Sequence, residues 1–254
     1  MKYAEVPAPT PDSILYLIYR HDGDGATSYE IANGAWVAWW HGHAFELGGK
    51  RYFTGFAYAT RERFPAVGGD TPGPGDRVDL SHATFELAYP GAAKPWVFLG
   101  AEPFIGRFGA YDRGNEVDDT RGSQEFRTGD GRLLLAVPTW SLQAGERIDA
   151  FDVFVFNPDD NVAPGQKRWT YVGNLPAGGN NSASCGGEGG MAPCVASRGE
   201  LEFIPSGAGP MPRIRIERSG EVVDGPGRTR TLSASDAVEY AFSEEHGGYM
   251  PPVE

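Results

Sequence analysis

The chain has 254 residues, enough for one large or two small domains around a real hydrophobic core. Apolar residues make up 40% of it and charged residues 22%, and 34 Asp and Glu against 22 Lys and Arg give a net charge of −12. This acidity argues against nucleic-acid binding, because a negative surface repels phosphate, and no apolar run approaches the roughly 20 residues of a membrane-spanning helix.

The sequence consists mainly of short β-type runs separated by Gly, Pro, Asn and Asp. In chain order, these runs predict strands at residues 13–19, 35–40, 51–58, 83–89, 96–99, 132–137, 149–156, 168–173, 200–204, 213–217 and 229–232. Turn residues such as Gly48-Gly49 are typical of hairpins. We therefore expect an all-β fold, an antiparallel β-sandwich or jelly-roll-like arrangement with at most one or two short helices.

One segment near the carboxyl end has the spacing of a helix. Its apolar residues recur at Ala234, Ala237, Val238, Ala241 and Phe242, and Ser233 or Ser235 could serve as the N-cap. The alternation of Val238, Tyr240 and Phe242 also fits a strand.

The domain organisation is expected to be simple. Residues 1–12 include Pro7-Ala8-Pro9-Thr10-Pro11, which predicts an extended N-terminal tether. No linker composition clearly divides the remainder, so residues 13–254 are expected to form a single β-rich domain.

The two cysteines point to the compartment. Cys185 and Cys194 enclose a glycine-rich segment that is flexible enough to bring the sulfurs together. This predicts a disulfide in an oxidising compartment, and free thiols or a weak metal pair in a reducing one. No signal peptide is recognisable, and the tether suits a mature protein whose leader has been removed. We expect the bacterial periplasm or cell envelope, with the cytoplasm as the alternative.

The clearest metal-ligand pattern is His41-Gly42-His43-Ala44-Phe45-Glu46. On a strand, His41 and His43 project from the same face, and two imidazoles with a carboxylate suit Zn²⁺ or a similar divalent metal. The spacing partly resembles the first metal motif of cupins, a His-x-His followed by Glu on β-barrel strands. Glu46 comes one or two residues early for that motif, and no later histidine completes the set, so we do not assign the family. Two ordinary strand histidines are the competing interpretation.

A cluster of tryptophans precedes these histidines. On a strand, Trp36 and Trp40 share one face, while Trp39 shares the other with His41. An exposed Trp pair could stack on sugar rings, although tryptophan more often belongs to a buried core.

A second candidate cation site lies at Asp22-Gly23-Asp24-Gly25, where alternating carboxylates and glycines are typical of calcium loops. The carboxylates that would complete such a loop are missing, so a hairpin turn is the better interpretation.

No motif for nucleophilic catalysis is present. We expect a non-catalytic binding protein of the bacterial envelope, an inhibitor or immunity-type protein for a basic enzyme, because a strongly acidic surface attracts a basic partner. Two alternatives stay open. One is a carbohydrate-active or metal-dependent enzyme, with His41, His43 and Glu46 as ligands or Trp36 and Trp40 lining a cleft. The other is a structural surface protein.

Overall fold

The structure is a computed structural model that describes residues 6–61, 71–158, 167–186, 192–207 and 209–251. Strands make up 55% of it and helix 5%, in two antiparallel sheets with one α-helix and one 3-10 turn within those ranges. This content confirms the predicted all-β class, with two antiparallel sheets as expected for a β-sandwich.

The chain forms two compact units. Unit 1 comprises residues 1–115 and 156–171, and unit 2 comprises residues 116–155 and 172–254. Two strands contribute residues to both units, so this division does not decide between one domain and two. The expected single domain over residues 13–254 therefore stays a prediction.

The sheet of unit 1 has five antiparallel strands in chain order. They are β1 (Ser28–Glu30), β2 (Trp36–Leu47), β3 (Lys50–Ala59), β4 (Val78–Leu87) and β5 (Trp96–Phe108). The pair Gly48-Gly49 forms the predicted tight turn between β2 and β3, since Leu47 and Lys50 are cross-strand partners. Most of these strands extend well beyond the predicted runs.

A helix packs on one face of this sheet. Helix α1 (Pro11–Tyr19) buries Ile14, Leu15 and Ile18 against apolar side chains of β3 and β4. The predicted strand at residues 13–19 is therefore wrong. With nine residues, α1 is far too short to cross a membrane, and no other described helix has the length and apolar content for a crossing.

The sheet of unit 2 has ten strands, and its order β15-β14-β12-β11-β10-β9-β8-β6 again follows the chain, with β7 paired to β8 and β13 paired to β12. The strands are β6 (Glu116–Val117), β7 (Gln124–Arg127), β8 (Leu133–Gln143), β9 (Glu146–Phe156), β10 (Trp169–Asn180), β11 (Ala196–Ile204), β12 (Arg213–Val223), β13 (Thr229–Thr231), β14 (Val238–Ser243) and β15 (Gly248–Met250). The last residue of β9, Phe156, and the first three residues of β10, 169–171, belong to unit 1.

The core of unit 2 follows the alternation in the sequence. Phe151, Val153 and Val155 of β9 pack with Ile214 and Ile216 of β12, whose charged neighbours point outward. Both segments were predicted as strands, at residues 149–156 and 213–217.

The predicted helix near the carboxyl end is wrong. Only Ala234–Asp236 forms a 3-10 turn, closed by a capping box in which Asp236 accepts a hydrogen bond from the Ser233 backbone N–H at 2.8 Å. The chain then becomes β14, where Tyr240 pairs with Ile214 and is buried. The strand pattern of Val238, Tyr240 and Phe242 prevails because cross-strand pairing buries the Tyr240 ring.

Candidate functional site

A β-bulge at Trp40 decides how the predicted site residues of β2 are placed. The register with β3 shifts between Trp39 and His41, so Trp40 is an extra residue. Trp39 packs in the cluster beneath α1, whereas the Trp40 ring lies 5.8 Å from His41. The predicted sharing of one face by Trp39 and His41 is therefore wrong, because one inserted residue reverses the alternation.

The two histidines of β2 belong to a row of stacked rings. The His41 and His43 centroids lie 6.1 Å apart, and His43 and Phe45 lie 6.0 Å apart in nearly parallel planes. Burial, and secondarily the neighbouring His43, lowers the pKa of His41 from 6.5 to about 4. The His41 ring is therefore neutral at pH 7, as a metal ligand or a packed core ring would be.

The third predicted ligand is separated from this pair. Side chains alternate along β2, so Glu46 lies on the opposite face from both histidines. Among the described residues, no three His, Cys, Asp or Glu side chains are grouped so that they could hold a metal ion. A divalent metal on His41, His43 and Glu46 stays a prediction.

The predicted sugar-stacking pair has two different environments. Trp36 is 47% exposed, and its indole N–H donates to the Ser28 hydroxyl. Trp40 is half-buried, with its N–H donating to the Asn115 carbonyl at 2.7 Å and its ring 5.0 Å from Phe108. Stacking of a ligand on Trp36 and Trp40 stays a prediction.

The Asp22–Gly25 segment is a tight turn. The Asp22 carboxylate accepts a hydrogen bond from the Asp24 backbone N–H at 2.9 Å, and the Ala26 N–H donates to the Gly23 carbonyl at 2.9 Å. Asp22 thus stabilises a turn, as predicted, but the turn joins α1 to β1 and is therefore not the predicted hairpin turn.

A chain of buried polar side chains runs through the interior of unit 1, and no sequence motif marks it. Glu102 Oε2 lies 3.0 Å from His82 Nε2, and His82 Nδ1 lies 3.0 Å from Thr84 Oγ1. Thr84 Oγ1 lies 2.9 Å from Thr54 Oγ1. The Trp169 Nε1–H completes the chain by donating to both threonine oxygens, at 3.0 and 3.2 Å.

The hydrogen-bond roles in this chain can be assigned from its ends. An ionised Glu102 only accepts, so the neutral His82 ring carries its proton on Nε2, and Nδ1 accepts from the Thr84 hydroxyl. Thr84 Oγ1 then accepts from Thr54 and from Trp169. Each group of the chain has a partner that matches its role, which explains how four polar side chains tolerate complete burial.

This chain superficially resembles a catalytic carboxylate–imidazole–hydroxyl arrangement. His82 and Thr84 are fully buried, however, and the Thr84 oxygen is already surrounded by its three protein partners. A substrate could not reach the Thr84 hydroxyl without opening the core. This chain of hydrogen-bonded side chains is a structural element of unit 1 and not a candidate active site.

The predicted disulfide is confirmed, and it closes the loop between β10 and β11. Cys185 and Cys194 are bonded, and Asn181 holds both ends of the loop. The Asn181 side chain donates to the Pro193 carbonyl and accepts from the Val195 N–H, each at 2.9 Å. Its backbone carbonyl accepts from the Cys185 N–H at 3.0 Å. The base of the loop is thus fixed to the end of β10.

A groove lies in unit 2 beside this loop base. It is a cavity of about 310 Å³ lined by residues of β9 to β12 and by Asn181 and Val195. Glycines permit the close backbone approach that forms it: a Cβ on Gly178 would lie 2.6 Å from the Ser197 carbonyl oxygen, and one on Gly179 would lie 2.0 Å from that of Arg147. Because these positions carry no side chains, the neighbouring strands can approach this closely.

Two arginines line the groove, and both have partners in the protein. Arg147 Nε donates to Asp149 at 2.7 Å, and the Arg147 guanidinium carbon lies 4.7 Å from the Trp140 ring centroid. Arg218 Nη2 donates to the Pro176 carbonyl at 3.0 Å, whereas its Nε is buried and has no hydrogen-bond partner among the described residues. The groove needs residues that are far apart in sequence, so no local sequence pattern predicted it.

Comparison with known proteins adds no relative: no protein family, curated protein or solved structure matches this chain.

Proposed function

We propose that this protein is a non-catalytic, extracytoplasmic binding protein that captures a basic protein through unit 2. The observation that carries the proposal is the distribution of charge. Unit 2 contains 19 Asp and Glu and 10 Lys and Arg, a net charge of −9 out of the −12 of the whole chain. The same unit contains the groove and the disulfide-closed loop.

The charge distribution favours a positively charged partner over an acidic one. A negative field raises the rate of encounter with a positive surface and discriminates against acidic proteins. An inhibitor or immunity-type protein needs a recognition surface of this kind and no catalytic group of its own. The Cys185–Cys194 disulfide supports a location in an oxidising compartment, such as the bacterial periplasm or envelope.

Affinity capture followed by titration tests the proposal. The oxidised protein, immobilised, is exposed to the extracytoplasmic fraction of its source organism at about 0.05 M NaCl and eluted at about 0.3 M. We expect a basic protein that rebinds in purified form with fixed stoichiometry and a Kd that rises with salt. An acidic or neutral partner, a salt-independent Kd or the absence of any retained protein would contradict the proposal. Stoichiometric metal in the purified protein would instead favour the metal-dependent enzyme.

A further inference from the structure

Arg168, which directly precedes β10, carries a buried positive charge that the described residues leave without a partner. Only 7% of the residue is exposed, and its Nη1 is buried with no hydrogen-bond acceptor within the described ranges. No carboxylate of the described residues forms an ion pair with the guanidinium. A buried charge is unfavourable unless hydrogen bonds or an opposite charge compensate for it, so a guanidinium buried in this way is expected to bind an anion.

Arg121 of unit 2 shows how the protein compensates another arginine whose side chain is largely buried. The Arg121 Nη2 donates to the Gly199 carbonyl at 2.6 Å and lies 3.3 Å from the Glu200 carboxylate. The Arg121 guanidinium carbon also lies 4.6 Å from the Phe151 ring centroid. In the part of the chain that the structure describes, the Arg168 guanidinium has no contact of these three kinds.

The carboxylate beside Arg168 is bonded to its backbone and not to its guanidinium. Glu102 Oε1 accepts from the Arg168 backbone N–H at 2.8 Å, and Glu102 Oε2 lies 3.0 Å from His82 Nε2. Both carboxylate oxygens are therefore already engaged. The effect of Arg168 on its neighbour agrees with an uncompensated charge: after burial, which acts most strongly, the Arg168 charge also lowers the pKa of His82.

A second cation without a carboxylate partner lies next to Arg168 in the sequence. Lys167 is half-buried, its Nζ lies 4.4 Å from the Phe104 ring centroid, and no described carboxylate pairs with it. Phe104 is in turn two residues from Glu102 on β5. With Lys167 and Arg168 set against Glu102, this region keeps one net positive charge on a chain whose net charge is −12. These charges select an anion over a cation.

We propose that the Arg168 guanidinium binds a small oxyanion, a carboxylate or a phosphate group, and that Lys167 adds to the attraction. A guanidinium presents its N–H donors in a planar fork that matches both of these groups. The limited exposure of Arg168 restricts the ligand to a small group. The site belongs to unit 1 and takes an anion, whereas the proposed function concerns a basic partner of unit 2, so each proposal can fail without the other.

Titration of the full oxidised chain with two anions tests the site. The ¹⁵N-labelled protein is titrated with sodium phosphate and, separately, with sodium acetate, with sodium chloride at matched ionic strength as the reference. We expect saturable shifts of the Arg168 Nε–H and of the Arg168 and Trp169 backbone amides. Saturation by phosphate alone or by acetate alone identifies the class of oxyanion, and saturation by both identifies a general oxyanion site. No saturable shift with either anion, or shifts confined to other residues, would overturn the proposal.

Matched variants assign the binding to Arg168. Arg168→Met keeps an aliphatic side chain without the charge and should weaken anion binding at least ~10-fold, because charge-assisted hydrogen bonds are lost. Arg107→Met removes a guanidinium that also faces Phe104 but pairs with Asp79 at 2.7 Å, and it should keep the affinity within about twofold. Unchanged affinity in Arg168→Met, or an equal loss in both variants, would contradict the assignment. If the amide spectrum shows that Arg168→Met is unfolded, the residue-resolved titration of the wild type decides.

Discussion

At the scale of single residues, the interior of unit 1 depends on a histidine that must stay neutral. Burial lowers the pKa of His82 below its ordinary 6.5, and the nearby Arg168 acts in the same direction, while the hydrogen bond to Glu102 opposes them. Burial also opposes ionisation of Glu102, but hydrogen bonds from His82 and from the Arg168 and Trp169 backbone hold the pKa of Glu102 below 4.5. Protonation of His82 would also place a proton on Nδ1, which now accepts a hydrogen bond from the Thr84 hydroxyl, so that hydrogen bond would be lost.

The stability of the protein should therefore fall in acid in two stages. Below about pH 6.5 the unfolded chain binds a proton at residue 82 that the folded chain excludes, so the free energy of unfolding decreases as the pH falls. His41, whose folded pKa is about 4, contributes in the same sense. Below 4.5, protonation of Glu102 in the unfolded chain adds a second loss. Denaturant titrations from pH 7.5 to 4 measure both stages.

Variants assign the first stage to its source. His82→Gln should lower the free energy of unfolding at pH 7 and flatten its dependence on pH between 6.5 and 5. His246→Gln, at an exposed turn residue, is the matched control and should change the free energy of unfolding at pH 7 by no more than about 0.5 kcal/mol. A His82 ring that titrates at or above pH 6.5 in the folded protein, observed by NMR, would contradict the assignment.

At the scale of elements, helix α1 shows why the alternation of apolar residues at 13–19 wrongly predicted a strand. Ile14, Tyr16 and Ile18 alternate as in a strand, but Ile14, Leu15 and Ile18 equally form one face of a helix. Pro11 in the first turn and Asp12 beside it are typical of a helix start. The chain leaves the helix at Arg20, whose left-handed φ of 57° lets its N–H donate to Tyr16 O at 2.9 Å.

The contribution of α1 can be measured at its buried face. Leu15 has no exposed surface, so Leu15→Ala should cost about 2–5 kcal/mol of unfolding free energy through lost burial and a residual cavity. Tyr16→Ala, at a residue that is 49% exposed, should cost well under half as much. Chemical denaturation followed by tryptophan fluorescence gives both values. Equal losses in the two variants would show that α1 does not stabilise unit 1 through this face.

Features that a short stretch of sequence determines were predicted correctly. The β-type runs at residues 149–156 and 213–217 correctly identified β9 and β12, and Gly48-Gly49 correctly identified a hairpin, because these signals are local. The disulfide followed from the short spacing of Cys185 and Cys194.

Features that depend on register could not be predicted in the same way. The bulge at Trp40 has no local signature, and it removes Trp39 from the face of β2 that His41 occupies. The buried chain from Glu102 to Trp169 joins residues of separate strands. The groove likewise joins Glu146 to Glu221, which only the assembled sheet brings to one site.

At the scale of the whole molecule, the two units carry very different charges. Unit 1 has a net charge of −3, from 15 acidic and 12 basic residues, against −9 for unit 2. A basic partner should therefore be attracted mainly toward unit 2, and the attraction should weaken as salt screens it over about 10 Å at 0.1 M.

The most direct measurement uses two variants, each of which removes three negative charges from one unit. It compares how strongly each variant binds the captured partner. The unit 2 variant is Glu202→Gln, Glu221→Gln, Asp224→Asn, and the unit 1 variant is Asp22→Asn, Asp24→Asn, Glu30→Gln, all at exposed residues. Stopped-flow association and calorimetric Kd are recorded across a series of salt concentrations. We predict that the unit 2 variant associates more slowly, binds more weakly and shows a shallower salt dependence, while the unit 1 variant stays within about twofold of the wild type. Equal effects of the two variants, or a larger effect of the unit 1 variant, would contradict recognition through unit 2.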